Sequence, residues 1–392
     1  MGEYANISKV WGSSFLKSFC YLCVKQYTQQ MEHGKYNNLE EYIRQSEPHA
    51  KVRGWAWQTA IGLQKVDGLS TSEYLLDTAR QHIDGEITIE EAQKLIDTYY
   101  KSRGARTIQE DDRTEEADKV AARITELIQE ESFSFTPGQI TSIHRRLFDG
   151  IYKFAGKIRD YNITKKEWVL NGNTVYYSSC DAIVDNINYD LANERNFSYA
   201  GLSINQAIEH IARFCSNIWQ IHAFGEGNTR TIAVFMIKYL KTLGFSVGNT
   251  AFAQDSWYFR NALVRANYSN LKQGITENLT FLERFFRNML LNEQNELRNR
   301  ELHIDWRGEQ SASSTQTQSA TSLPPKCKNC TLEELAVVRI ILSDPKATQK
   351  QMSAQIGKSE RTVKTITLNL SEKGIIRRIN GKRNGYWEVI WE

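Results

Sequence analysis

A polar tract near the C-terminus constrains this 392-residue chain more than any other feature. From Arg307 to Lys326 it reads RGEQSASSTQTQSATSLPPK, a Ser/Thr/Gln run closed by Pro324 and Pro325. Such a stretch offers too little apolar surface to offset the entropy of ordering it, so it reads as a linker. We set the linker at 301–330, which leaves a long N-terminal part and a small module over 331–392. Each must bury its own core, and the longer part has ample length to do so without staples.

Composition supports this division. Charged residues at 24% and hydrophobic ones at 41% are an ordinary globular mix, which excludes a disordered or fibrous chain. A net charge of +3 is too mild to demand a polyanionic partner for the whole molecule. No apolar run approaches the roughly 18 residues that span a bilayer. The start, MGEYANISKVWGSSF, lacks a basic segment followed by a hydrophobic one, so no membrane partner and a cytoplasmic location are expected. The six cysteines, at 20, 23, 180, 215, 327 and 330, are too sparse for a disulfide framework and are expected to be reduced. Neither C-x-x-C pair has a second Cys or His pair suitably placed to close a zinc site.

Before the linker, DKVAARITELIQEE, SINQAIEHIARFCSNIWQIHAF and TRTIAVFMIKYLKTLGF repeat apolar residues at three and four spacing, which predicts amphipathic helices. The exception is NITKKEWVLNGNTVYYSS, where β-branched and aromatic residues flank Asn171-Gly172-Asn173. That pattern predicts a hairpin over 162–178. After the linker the order is three helices and two short strands, which fits a winged helix-turn-helix. Thr348 is expected as an N-cap, Gly357 as the turn and Ser359 as the cap of the third helix. The fold class is therefore mainly α with a β-hairpin flap, plus a small α+β winged helix-turn-helix.

One loop concentrates chemistry. Ile221 to Thr231, IHAFGEGNTRT, places a base, a carboxylate, small backbone residues and an arginine between two apolar helical runs. Gly227 and Asn228 at a helix start would aim free N–H groups at phosphate oxygens, assisted by the helix dipole. Thr229 could add a hydroxyl there, and Arg230 a charged fork. Glu226 suits Mg²⁺, which prefers one or two carboxylates together with substrate phosphate oxygens. His222 can accept a hydroxyl proton near neutral pH. The bland alternatives are a half-buried histidine and an Arg230–Glu226 salt bridge at a helix start. The remaining histidines, His144 and His210 among them, are read as structural, Phe224 as a core anchor, and Lys165 and Lys166 as a solvated face.

HAFGEGNTR resembles the loop of the Fic family, His-x-Phe-x-(Asp/Glu)-Gly-Asn-Gly-Arg. The resemblance extends to GKIRDYNI at 156–163 and to SWYFRNALVRAN at 256–267, and spans about 110 to 295. It implies a Fic core over 106–300 that transfers AMP from ATP, with Mg²⁺, to a Ser, Thr or Tyr hydroxyl of a target protein or of the chain itself. It also implies His222 as base, a flap at 162–178 that docks the target by strand pairing, and an adenine pocket at Tyr258 and Asn261. For the last two residues a core helix reading stands equally. The sequence departs from the pattern at Ala223, at Thr229 and at Ala233, where many members carry a second arginine for the γ-phosphate.

Residues 60–96 resemble the antitoxin segment that shields Fic sites, so 46–105 is expected to be an inhibitory region preceded by an arm, 1–45, of unassigned role. Leu63 and Asp67 stand where the family's Ser/Thr-x-x-x-Glu-Gly has its Ser/Thr and Glu. The family's inhibitory carboxylate pairs with the second arginine, which is absent here, so the expectation is weak inhibition through Asp67. The winged module carries eleven Lys/Arg against seven Asp/Glu. Arg361, Thr362, Lys364 and Thr367 are the candidate recognition residues on DNA, with Arg377, Arg378, Lys382 and Arg383 reaching phosphates from the wing. The alternative is a protein-binding winged helix that recruits the target or a second copy of the chain as a homodimer. A DNA-binding regulator whose core senses nucleotide, or transfers another phosphate-containing group, is the second reading of the whole.

Overall fold

The computed structural model describes residues 39–102, 109–245, 247, 251–306, 330–356, 358–380 and 385–390. The arm up to residue 38, most of the linker, Cys20, Cys23, Cys327, Gly357, Lys382 and Arg383 lie outside them.

Helices dominate the described residues. Two, α1 (Leu39–Gln45) and α2 (Pro48–Gln64), lead into a 3-10 turn at Lys65–Asp67, and α3 (Glu73–Asp84) and α4 (Ile89–Ser102) follow. Next come α5 (Gln109–Gln129), α6 (Pro137–Phe148), α7 (Ile183–Asn196), α8 (Ile204–Ile221), α9 (Asn228–Thr242), α10 (Ala251–Ala266) and α11 (Thr280–Leu291). Ser72, Thr136 and Ser203 cap α3, α6 and α8 by accepting backbone N–H groups, and Ser203 with Gln206 forms a full capping box.

One hydrophobic core joins these helices, from Ile43 through Trp57, Leu127, Phe235 and Phe286 to Leu302. The segment read as an inhibitory region is therefore built into the core, with α2 packed mainly against α5 and α10. That crossing is close: a Cβ on Gly62 would stand 2.3 Å from the Phe252 carbonyl oxygen, so only glycine fits there. Nearly every residue of α9 is buried, as its continuous apolar sequence requires.

The expected hairpin forms its turn but not its strands. Residues 162–167 and 173–179 run as extended loop joined by a 3-10 turn at Trp168–Leu170, with Asn171 in the left-handed region. Glu167 N–H donates to the Asn173 carbonyl at 2.9 Å, but no strand ladder is assigned. Val169 and Leu170 are drawn wholly into the core and Glu167 is buried beside them, so core anchoring overrides the strand pattern.

In the C-terminal module α12 (Leu332–Ser343), α13 (Gln349–Ile356) and α14 (Glu360–Glu372) precede β1 (Ile376–Ile379) and β2 (Tyr386–Val389), which pair antiparallel with Ile376 opposite Val389. Ser359 caps α14 as expected. A second core, including Val338, Met352, Val363, Leu370 and Trp387, holds this winged helix-turn-helix together.

Candidate active site

Helix α8 ends at His222, whose backbone is left-handed at φ 51°. The other non-glycine residues with positive φ among those described are all asparagines, which tolerate it, so His222 holds a strained conformation of the kind that clusters at functional sites. Arg159 secures it. Its Nε donates to the His222 carbonyl at 2.8 Å, one Nη to Tyr161 O at 2.6 Å and the other to Ser178 O at 2.5 Å. One buried guanidinium thus ties the end of α8 to both arms of the flap. Sequence reasoning passed over Arg159, although it stands in the GKIRDYNI stretch.

The His222 ring is buried, and neither ring nitrogen has a hydrogen-bond partner among the described residues. Tyr177 covers it at a ring distance of 4.2 Å and Trp219 meets it edge-on at 5.3 Å. Burial first, then the charges of Lys165, Arg260 and Arg159, push its pKa well below the usual histidine value. The imidazole is therefore neutral, with an unengaged nitrogen able to take a proton.

The loop 222–227 is closed from within. Asn228 accepts the Phe224 N–H at 2.9 Å and donates to the Phe224 carbonyl at 2.7 Å. Its side chain closes the loop, and its backbone N–H is the group it leaves at the helix start. Thr229 also turns its side chain inward, its hydroxyl accepting Trp219 Nε1–H at 3.0 Å, which leaves its backbone N–H at the helix start. Gly227 has φ +75°, and a Cβ there would meet the Phe148 ring at 2.4 Å. Beneath the loop, neutral His144 receives Gly156 N–H on Nδ1 at 2.8 Å, which leaves Nε2–H to donate to the Glu226 carbonyl at 3.0 Å. Its ring stacks on Phe224 at 3.8 Å, and burial lowers its pKa to about 4. His144 and Phe224 are therefore scaffold, as read from sequence.

Glu226 is half-exposed and forms an ion pair with Lys165 at 2.9 Å. Lys165 is thus no mere solvated residue of the flap. One accessible carboxylate beside the start of α9 fits Mg²⁺, which takes its remaining ligands from phosphate and water. Lys165 must first let go. Among the described residues no cluster of three or more His, Cys, Asp or Glu could hold a metal by itself.

Arg230 is the most heavily engaged residue of the site, only 1% exposed. Asp67 Oδ2 lies 2.7 Å from its Nε, an ion pair without straight hydrogen-bond alignment. Glu116 Oε1 is 2.6 Å from Nη2, Gln64 Oε1 accepts from Nη1 at 3.1 Å, and the Phe148 ring lies 4.7 Å below. Burial alone would lower its pKa, but Asp67, Tyr152 and Glu116 more than offset that, and the net direction is upward. Asp67 meets the first arginine of the loop, where the sequence pattern pointed to the missing second. Position 233, the site of that second arginine, is a buried alanine. Gln64 and Glu116 carried no sequence signal, Glu116 lying in α5, far from the antitoxin-like string.

Tyr258 and Asn261 are correctly placed on α10 but fully buried, so they line no open pocket. Asn261 Nδ2 donates to Asn299 at 2.8 Å, and its Oδ1 is left without a partner. Both side chains lie within the core. Arg260, on the same helix, instead fixes the flap by gripping buried Glu167 at 2.7 and 3.2 Å.

Residues 134–240 match the Fic/DOC family model. The chain carries a Fic/DOC domain. Residues 334–377 match a winged helix-turn-helix DNA-binding family model. The chain is similar to protein adenylyltransferase VbhT of Bartonella schoenbuchensis (strain DSM 13525 / NCTC 13165 / R1), 26% identical over 166 residues. That match takes in 37% of this chain and 34% of the relative, so the chain spans only about a third of the relative's length. A Fic family protein from Desulfovibrio desulfuricans G20 aligns over 92% of each chain, at 12% identity and a TM-score of 0.36, too loose a likeness to argue from. No described helix is long and apolar enough to cross a membrane.

In the winged helix-turn-helix, Arg361 and Lys364 are exposed on α14. Thr362 donates its N–H to the Ser359 cap, and Thr367 is buried against Gln349, which removes Thr367 as a recognition residue. On the wing Arg377 pairs with Glu388, and Arg378 lies over Trp387 at 4.8 Å, so both are engaged within the sheet. Arg383 falls outside the described residues.

Proposed function

We propose that this Fic/DOC domain is a protein adenylyltransferase held in check by Asp67 and Glu116. The observation that carries the reading is the neutral, unpartnered His222 ring beside a phosphate-directed helix start. His222 takes the proton of a Ser, Thr or Tyr hydroxyl, whose oxygen forms a bond to the α-phosphorus of ATP while the bond to pyrophosphate breaks. The N–H groups at the start of α9 would receive phosphate oxygens. Mg²⁺ held by Glu226 would neutralise phosphate charge. Arg230 can add its fork only after Asp67 or Glu116 releases it, because two carboxylates against one guanidinium leave a net negative cluster where an anion must dock. At about 4 Å and an effective dielectric near 20, each uncompensated like-charge contact costs on the order of 4 kcal/mol.

The test is intact mass after incubation with Mg²⁺ and ATP, comparing the wild type, Asp67→Ala and Asp67→Ala/His222→Ala. Gain of one adenylyl mass by Asp67→Ala, lost in the double variant, is expected. A full gain retained without His222 would overturn its role as base.

The alternative, a regulator that senses nucleotide or transfers a different phosphate-containing group, is favoured by one observation: position 233 offers no second arginine. ATP binding without transfer, with His222→Ala leaving that binding unchanged, would support it. The winged helix-turn-helix is read as a nucleic-acid contact through Arg361 and Lys364, expected to weaken as salt rises.

A further inference from the structure

A cleft of about 170 Å³ opens beside the flap, lined by Ser178, Asn186, Tyr189, Asp190, Asn217 and Gln220, with Ile221 at its inner end. It adjoins both catalytic elements. Ile221 precedes His222 in the chain, and Ser178 follows Tyr177, whose ring covers His222.

The lining carries one charged side chain, the Asp190 carboxylate, and no cation. Asp190 is half-buried and has no hydrogen-bond or ion-pair partner among the described residues. Burial raises its pKa to about 6, the direction for a carboxylate that has lost water and gained no cation. Gln220 donates one amide N–H to the Tyr176 carbonyl at 3.0 Å, and Asn186 one of its own to Ser178 Oγ at 2.9 Å, which leaves both amide oxygens unused. Tyr189, 68% exposed, adds an aromatic face. A carboxylate, amide oxygens and a tyrosine ring together suit a guanidinium or ammonium group, and no cationic side chain lines the cleft to favour an anion.

Resting on the transferase reading, we infer that this cleft is a specificity subsite for a basic side chain, arginine before lysine, of the polypeptide that lies along the flap. Asp190 would supply the charge, and Gln220 and Asn186 the remaining acceptors. The subsite selects the sequence around the modified hydroxyl and takes no part in the chemistry.

The experiment uses the full chain and short threonine peptides in which one arginine is walked through the positions around the threonine. Fluorescence anisotropy on His222→Ala reads binding apart from chemistry. Mass spectrometry on Asp67→Ala reads transfer. We expect one arginine register to bind about tenfold tighter than its glutamine counterpart. Asp190→Asn should erase that preference, and Asp190→Lys should move it to glutamate. In the transfer assay the preference should fall on KM and leave kcat unchanged. Arginine-dependent binding without adenylyl transfer would sink the transferase reading and leave the subsite standing. Absence of any arginine preference, or its persistence in Asp190→Asn, would overturn the subsite whether or not the peptides are modified.

Discussion

Arg230 shows how much of this site turns on single residues. A buried guanidinium needs compensation, and Asp67, Glu116 and Gln64 supply it from two helices and a turn. Removing one carboxylate leaves the other in place, so Asp67→Ala should cost only about 1–3 kcal/mol of stability, less than breaking an isolated buried pair. The same change should strengthen ATP binding about tenfold, and Glu116→Gln added to it should strengthen binding again. Isothermal titration of the four combinations checks this. If neither single nor double variant gains affinity, the two carboxylates are structural and do not guard the site. His222, Glu226 and Arg230 were legible in the sequence because their spacing in HAFGEGNTR is chemically unusual. Gln64, Glu116 and Arg159 were not, because their roles come from distant elements that only the packed core brings to the loop. The side chains of Asn228 and Thr229 show that a polar group in such a loop can be the bond that closes it, with the backbone N–H left at the helix start.

At the scale of elements, helix periodicity and capping residues located α5, α8, α9 and α14 well. The flap did not follow its strand pattern, since burial of Val169, Leu170 and Glu167 fixes it by side chains instead of a ladder. Of the recognition residues read on α14, the exposed Arg361 and Lys364 remain candidates, while Thr367 belongs to the interior. If α14 reads DNA, mobility shifts should show affinity falling steeply between 50 and 200 mM salt, in the manner of phosphate-dominated binding with about that salt range. Arg361→Ala/Lys364→Ala should reduce the affinity and flatten the salt slope. Binding indifferent to salt and to these substitutions would point to a protein partner.

In the whole molecule, the N-terminal helices α1 to α4 and those of the Fic/DOC domain share one core, so Asp67 and the 222–230 loop belong to one packed unit. Three buried histidines add a pH dependence to that core. Burial holds His82 and His144 at about 4, and His222 lower than usual. Unfolded, each would titrate near 6.5. Between these values the unfolded chain binds more protons, so their contribution to stability is fully present above about 6.5 and is lost as pH falls toward 4. The loss is on the order of 1 kcal/mol per histidine per pH unit. Thermal melts should therefore drop several degrees from pH 7 to pH 5, and a midpoint that held or rose would contradict neutral burial.

The decisive measurement remains the intact mass of Asp67→Ala after incubation with Mg²⁺ and ATP, beside Asp67→Ala/His222→Ala and the wild type. One added adenylyl mass on Asp67→Ala, little on the wild type and none on the double variant is the predicted result. An Asp67→Ala chain that binds ATP yet gains no mass on itself or on any flap-binding peptide would contradict adenylyl transfer by His222.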